Sequence, residues 1–318
     1  MQMINSYGVA LIDYNSGERT CRFLDDLLSK ADMRPTCIVI VDNYQRDNDS
    51  YNDIKSKIKG KRNIESKDHF QKKQIEGNYK GIDIELIKAN GNLGYAKANN
   101  IAAKILQEKK CDSILFSNSD IVFPEDKFEI SAFLSALDDH SDVLAVGSDV
   151  IDLNGNRQSP CKYLSLRDRW WRHRIGWPVL SRFYDGISDT IDDVNNAQYV
   201  YRVIGAFFFV NTEYFWKIKG FDENTFLYAE ELILSERASS DGKKIYYIPG
   251  ETVIHEDGIT VNADRKKFNI KKERLRLKSD LYYYKKYKHV PDAEIQITKI
   301  IVGIFNFKRN LAEKIFHR

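Results

Sequence analysis

Short apolar runs alternate with amphipathic stretches through the first half of the chain. Residues 8–13 (GVALID) form a compact hydrophobic run. The segment that follows places Phe23, Leu24, Leu27 and Leu28 on one stripe at helical spacing, led by Ser16. Residues 37–42 (CIVIVD) are β-branched and end in a carboxylate, the mark of a buried strand. Further strands are predicted at 82–87, 113–116 and 143–147, and helices at 94–107 and after Pro124. Residues 44–81 are polar with little apolar periodicity, and read as an insertion or mobile loop holding one short helix. Strand, helix, strand at this spacing specifies an α/β fold with a mostly parallel open sheet. In such sheets ligands bind beyond the carboxyl ends of the strands.

The second half is less regular. Residues 167–177 (RDRWWRHRIGW) are basic and aromatic, in the manner of a covering loop packed through its Trp rings. Residues 199–210 are strand-like but interrupted at Gly205, and a turn is expected at Gly220-Phe221-Asp222-Glu223. A helix is predicted over 229–239. Strands are predicted over 244–248 and 253–255, divided by a Pro249-Gly250 turn. From Lys267 onward the pattern is helical and rich in Lys, Arg and Tyr.

Charge sharpens this outline. The formal net charge is only +3, so the molecule is not a nucleic-acid-binding polycation. Residues 265–318, however, hold 16 Lys/Arg against 5 Asp/Glu, which leaves the remainder acidic. This suggests a basic C-terminal helical region (265–318) that meets an anionic partner or forms a solvated helix surface, beside a catalytic unit over 1–264 with halves at about 1–122 and 123–264. An amphipathic helix over 297–307 fits peripheral contact with a membrane surface, or packing on the catalytic unit or a second subunit of a homo-oligomer. The four cysteines (Cys21, Cys37, Cys111, Cys161) lie far apart, without metal-binding or disulfide spacing, which fits a reduced cytoplasmic setting. No signal peptide and no spanning segment are apparent.

Three polar clusters fall at expected strand ends. Asp42 can accept a hydrogen bond from a nucleobase N–H, or serve as a turn residue with Asn43. Asn90-Gly91-Asn92-Leu93-Gly94 is a Gly-rich strand-to-helix loop, but its spacing is neither that of a dinucleotide fingerprint nor that of a P-loop. Its glycines permit close backbone approach to a ligand. Asn118-Ser119-Asp120 places two oxygen-bearing side chains at i and i+2; Asp120 supplies the anionic ligand a hard divalent cation needs, and Asn118 a neutral oxygen or a hydrogen bond. Farther on, Glu230-Glu231 opens a helix, where the dipole favours carboxylates and where one can act as a general base. His255, at a short strand's end, can add a neutral nitrogen ligand.

Taken in order, these segments resemble family 2 of the inverting glycosyltransferases, particularly bacterial polysaccharide enzymes of the rhamnosyl- and galactofuranosyltransferase type. The resemblance runs through Asp13-Tyr14-Asn15-Ser16, Val41-Asp42-Asn43, Asn90 to Asn100, Phe116 to Asp120, Gly205-Ala206, Gly220 to Glu223, Phe226 to Glu231 and His255-Glu256-Asp257-Gly258. It implies a GT-A fold and transfer of a sugar from a UDP- or dTDP-sugar to a hydroxyl of a glycan acceptor, lipid-linked carriers included. The metal it implies is Mn²⁺ or Mg²⁺. Asp42 matches the base-recognising Asp, Asp120 the last residue of the D-x-D-type metal element, and His255 the His that completes the metal site. Glu231 matches the catalytic base and Glu230 the acid before it. Asn15, Asn90, Gly94, Lys97 and Asn118 fall around the donor nucleotide. The sequence departs from the pattern at Asn118 (no first carboxylate), at Glu231 (Glu for Asp), at Ile233 (no further Asp), and in the longer stretch around residues 51–79. The alternative implied by these departures is a protein of the same fold that binds a nucleotide sugar, or organises partners, without catalysis.

Overall fold

The computed structural model describes residues 4–44, 49–65, 69–172, 174, 189–256 and 269–316. The first half runs β1 (Tyr7–Asp13), α1 (Gly17–Lys30), β2 (Cys37–Asp42), α2 (Ser50–Lys57), β3 (Lys59–Ile64), β4 (Gln71–Tyr79), β5 (Ile82–Ala89), α3 (Tyr95–Glu108), β6 (Ser113–Asn118), β7 (Ile121–Val122) and α4 (Ile130–Asp139). The second runs β8 (Val143–Ile151), β9 (Arg157–Ser159), α5 (Leu166–Trp170), β10 (Gln198–Val200), β11 (Phe207–Asn211), α6 (Thr212–Lys217), α7 (Glu230–Ser240), β12 (Lys244–His255), α8 (Ile270–Lys286) and α9 (Asp292–Phe316).

Ten strands form one continuous path, β10-β12-β8-β11-β6-β1-β2-β5-β4-β3, with β7 on β12 and β9 on β8. The parallel sheet read from the sequence is its middle, β6-β1-β2-β5. Those strands are buried on both faces; Val9, Ala10 and Leu11 are fully inaccessible. Antiparallel strands extend it at both sides, so the sheet as a whole is mixed. Helices cover both faces. Phe23, Leu24 and Leu27 of α1, Ile54 of α2 and Phe133 and Leu137 of α4 pack in one cluster. Ala98, Ala102 and Leu106 of α3, Phe215 of α6 and Leu234 of α7 pack in a second on the other face.

Two stretches differ from their sequence reading. The polar stretch at 44–81 is not an insertion loop: beyond residues 45–48 and 66–68, which lie outside the described set, it forms α2 and an antiparallel hairpin of β3 and β4 on the sheet edge. An edge strand is half solvated, so its exposed Lys, Arg and Asn positions dilute the apolar alternation that would announce it. Pro249-Gly250 does not divide two strands. β12 runs through it with an irregularity between Tyr247 and Thr252, the positive φ of Gly250 absorbing the extra residues.

The basic C-terminal region is docked rather than trailing. Leu281, Tyr283 and Tyr284 of α8 and Ile295 and Val302 of α9 share a buried cluster with Leu166 and Trp170 of α5 and with Leu232 and Ile233 of α7. Each such apolar side chain contributes about 1.5–3 kcal/mol on burial, enough to make both helices part of the folded body. Asp280, fully buried on α8, accepts hydrogen bonds from Arg169 Nε (2.6 Å) and Trp170 Nε1 (2.8 Å). The aromatic stretch predicted as a covering loop therefore acts through Trp170; residues 173 and 175–177 of it are outside the described set.

Candidate functional site

Strand register sets the site's frame. At the carboxyl edge, Asp13 of β1 stands opposite Asp42 of β2, and Asp42 opposite Lys88 of β5. Asp13 is fully buried and accepts from Thr20 Oγ1 (2.5 Å), Ser50 Oγ (2.5 Å) and Ser16 Oγ (3.3 Å), so one carboxylate ties the end of β1 to both α1 and α2. Ser16 in turn lies 3.0 Å from Ser119 Oγ, joining the loop that carries Asn15 to the Asn118-Ser119-Asp120 turn. Asn15 itself is exposed and left-handed, at φ 55°.

Antiparallel pairing of β7 with β12 places Ile121 opposite His255 and Val122 opposite Ile254. That pairing joins two segments more than 130 residues apart. His255 Nε2 lies 3.4 Å from Asp120 Oδ1 and 3.5 Å from Asn118 Nδ2. Its other ring nitrogen, Nδ1, lies 2.8 Å from Gln158 Oε1 on β9. An amide oxygen only accepts, so this contact places the proton on Nδ1 and leaves the Nε2 lone pair facing Asp120. Burial works to raise the Asp120 pKa; when the ring takes a second proton at Nε2, its hydrogen bond and charge outweigh burial and hold the carboxyl below its usual range. Glu256 donates its backbone N–H to the Asp120 carbonyl (2.9 Å) and pairs with Arg22 (2.6 Å). Asp257 and Gly258 are outside the described residues.

The paired glutamates occupy different environments. Glu231 is half-buried, and its Oε1 accepts from the Gly205 backbone N–H at 2.7 Å. Gly205 has no room for a side chain: a Cβ there would sit 2.8 Å from Glu231 Oε1 and 3.0 Å from Tyr95 Oη. The Tyr95 hydroxyl donates to the Gly205 carbonyl (2.6 Å), and the Asn118 N–H donates to the neighbouring Ala206 carbonyl (2.9 Å). One short segment thus joins the Glu231 carboxylate to the Asn118–Asp120 turn. Glu230, by contrast, is 3% exposed, with Oε1 lacking a hydrogen-bond partner. Burial first, and the Glu231 charge second, push its pKa from 4.5 up to about 8.

Backbone strain marks the approach to these two residues. Tyr228 and Ala229 are both left-handed, at φ 74° and 69°. Such positions cost about 1–3 kcal/mol each for non-glycine residues and persist only where the surroundings impose them. Tyr95 N–H donates to the Phe226 carbonyl (2.9 Å) and Ser279 Oγ to the Leu227 carbonyl (2.8 Å), pinning the segment from α3 and from α8. Gly94, read from the sequence as a point of ligand approach, is closed off on its side-chain side. A Cβ there would lie 2.1 Å from the Phe226 oxygen, so its missing side chain makes room for this segment; Gly91 has open space. Asn43 fastens the same loop, accepting from Leu93 N–H (2.6 Å) and donating to the Gly94 carbonyl (3.1 Å).

The remaining donor-side residues are spread around this loop. Asn90 is exposed and donates its N–H to the Phe70 carbonyl (2.7 Å), while Lys97 Nζ lies 3.0 Å from the Phe70 ring centre. The hairpin therefore reaches the loop through Phe70. Asp42 is fully buried beside Tyr51, beneath the surface of the site.

No family model matches the chain. The rhamnosyltransferase WbbL of Escherichia coli (strain K12) is 29% identical over 234 residues, 69% of this chain and 79% of that protein. A crystal structure of GalNAc-T7 with UDP, GalNAc and Mn²⁺ superposes with a TM-score of 0.55 at 12% identity, over 96% of this chain but 55% of the larger protein. The mannosyltransferase PcManGT of Pyrobaculum calidifontis, in complex with GDP-Man and Mn²⁺, superposes with a TM-score of 0.52 at 14% identity, over 96% and 71%. The fold is that of the GT-A glycosyltransferases, and the sequence is similar to that of a rhamnosyltransferase.

In this site, sequence reasoning missed Gln158, the Asp13 clamp and the structural part of Gly205. Gln158 sits in an unremarkable polar stretch, and only the β8–β9 pairing carries it beneath His255. The two glutamates lead to a test. Because the folded state raises the proton affinity of Glu230, its contribution to stability is complete below the ordinary glutamate range. It is lost as pH rises from 4.5 to about 8. A Glu230→Gln variant, neutral throughout, should lack that loss. Thermal melts should show the variant gaining on the wild-type protein between those two pH values.

Proposed function

We propose that the chain transfers a hexosyl or deoxyhexosyl residue from a UDP- or dTDP-sugar to a hydroxyl of a growing bacterial surface glycan, with inversion at the anomeric carbon. The observation that carries this reading is the Glu231 carboxylate held by the Gly205 N–H, with the adjoining Ala206 carbonyl bonded to the Asn118 N–H of the turn that carries Asp120. Kinship with a rhamnosyltransferase supports the sugar class and a role in polysaccharide assembly. The GT-A neighbours with bound Mn²⁺ support a divalent metal.

The residues present fit such an ion. Asp120 offers a carboxylate oxygen and His255 a neutral ring nitrogen, converging within 3.4 Å on one edge. Among the described residues no third His, Cys, Asp or Glu joins them. That suits an ion that takes its remaining ligands from water and the donor diphosphate. Asp120 and His255 would hold it, with Asn118 giving a neutral contact in place of the missing carboxylate. When bound, it supplies Lewis-acid stabilisation of charge on the departing diphosphate. Glu231 takes the proton from the acceptor hydroxyl while that oxygen bonds to the anomeric carbon and the nucleoside diphosphate leaves from the opposite face. The Gly205 N–H fixes one carboxylate oxygen and leaves the other for the acceptor. Buried Glu230 does not reach the acceptor, and its role is to shape the start of α7. Asp42 reads the base, Asn15, Asn90 and Lys97 lie along the donor, and Gly94 keeps the loop against residue 226.

Calorimetric titration with UDP and with dTDP, each with and without Mn²⁺, tests the donor class. Metal-dependent binding of one of them is expected; a folded protein that binds neither would overturn it. Glu231→Gln should lower kcat by about 10²–10⁴-fold with nucleotide affinity preserved. Unchanged turnover would remove the base from Glu231. Gln158→Leu frees the His255 ring to turn, and should weaken Mn²⁺ binding by about 10–100-fold, read by electron paramagnetic resonance of free Mn²⁺. Gln158→Glu, which keeps the acceptor, should restore it.

A further inference from the structure

The helix α9 is amphipathic in an unusual sense, with two apolar faces. Its inner face buries Ile295, Val302 and Phe305. Its outer face carries Ile297, Ile300, Ile304, Phe307 and Leu311, which are 45–71% exposed. These five recur at alternating three- and four-residue steps, so they form one stripe about 21 Å long at 1.5 Å per residue. A single exposed Leu needs no explanation, but a continuous row of five large apolar side chains does.

Charge indicates what covers it. Lys271, Lys272, Arg274 and Lys278 of α8 and Lys299 and Lys308 of α9 are exposed and, among the described residues, have no carboxylate partner. The only exposed acid among the described side chains of these two helices is Asp292, which is paired with Lys285. Lys308 borders the stripe directly, one helical turn from Ile304 and from Leu311. The other bordering positions are Gln296, Gly303 and Asn310 on one side, which carry no charge, and Ile301 and Glu294 on the Lys308 side, where Glu294 is paired with Arg167. A helix pair between two copies would find Lys308 on the flank of the stripe and, apart from Glu294, which already pairs with Arg167, no acid to answer it, where coiled-coil flanks normally supply both signs. A negatively charged lipid surface would both cover the stripe and neutralise the lysines. No helix among the described residues is long and apolar enough to cross a membrane, so the contact would lie in the plane of the interface.

We propose that the outer face of α9 seats on an anionic lipid surface, with Ile300 and Phe307 entering the acyl boundary and the exposed lysines and arginines of α8 and α9 meeting the headgroups. The proposal does not rest on the transferase reading, but it would hold the protein where a lipid-linked acceptor resides. Through Ile295 and Val302, the same helix packs on the cluster that includes Leu232 and Ile233, next to Glu231 on α7.

Flotation of the full chain with vesicles of phosphatidylcholine alone, and of phosphatidylcholine with phosphatidylglycerol, tests it. The protein should float with the anionic vesicles and much less with the neutral ones. Ile300→Glu with Phe307→Glu should lower partitioning by about tenfold or more. Lys299→Glu with Lys308→Glu should weaken binding to the anionic vesicles. All four side chains are exposed, so unchanged thermal melts should accompany both variants. A folded wild-type chain that stays unbound, or apolar variants that float as well as it does, would overturn the proposal. Sedimentation showing a dimer that these variants dissolve, without vesicle binding, would also overturn it and assign the stripe to a second copy.

Discussion

The short antiparallel pairing of Ile121 and Val122 with His255 and Ile254 is the contact on which the site depends. β7 has only two residues and little stability of its own. It is held because β12 is anchored along its length against β8, whose residues are buried on both faces. Without this pairing Asp120 would be a turn residue and His255 a strand end. With it, a buried imidazole faces a partly buried carboxylate, and the Gln158 amide sets the ring's tautomer. The large sheet thus serves the chemistry mainly as a rigid register.

The acidic half of the site is built differently. The entry to α7 takes two consecutive left-handed residues, a conformation that local preference opposes. It is imposed from two sides, by the Gly94–Tyr95 end of α3 and by Ser279 of α8. The result divides the glutamate pair. Glu231 turns to the Gly205 amide, while Glu230 sits in the interior, where burial favours its neutral form. Adjacent carboxylates that repel each other are accommodated by giving them unlike surroundings. The C-terminal helices therefore support the site through backbone geometry.

The same helices link the core to the outside. Trp170, Asp280 and Arg169 form a buried hydrogen-bonded unit that holds α8 to α5. Asp280 Oδ2 takes both donors, which offsets part of the cost of removing the ion pair from water, while Oδ1 is buried without a hydrogen-bond partner. α9 then lies across this unit with one apolar face used and one left in solvent.

Much of this was legible in the chain. The apolar runs of β1, β2, β5 and β6 announce a parallel sheet because strands buried on both faces must be continuously apolar. The polar clusters at 42, 90–94 and 118–120 follow from them, since the carboxyl ends of the strands are where such sheets place their polar and ligand-binding groups. The edge hairpin at 59–79 escaped notice because solvated strands lack that pattern, and the bulged β12 because a glycine turn and a glycine bulge read alike. Which residues meet was a different matter. Local sequence determined that Asp120, Glu231 and His255 stand at element ends. Only the tertiary structure decided that Gln158 lies under His255, that Gly205 holds Glu231, that Glu230 is buried and that Gly94 makes room for Phe226. Each of those is a contact between segments far apart in the chain, fixed by sheet register and packing, and no local pattern of residues encodes it.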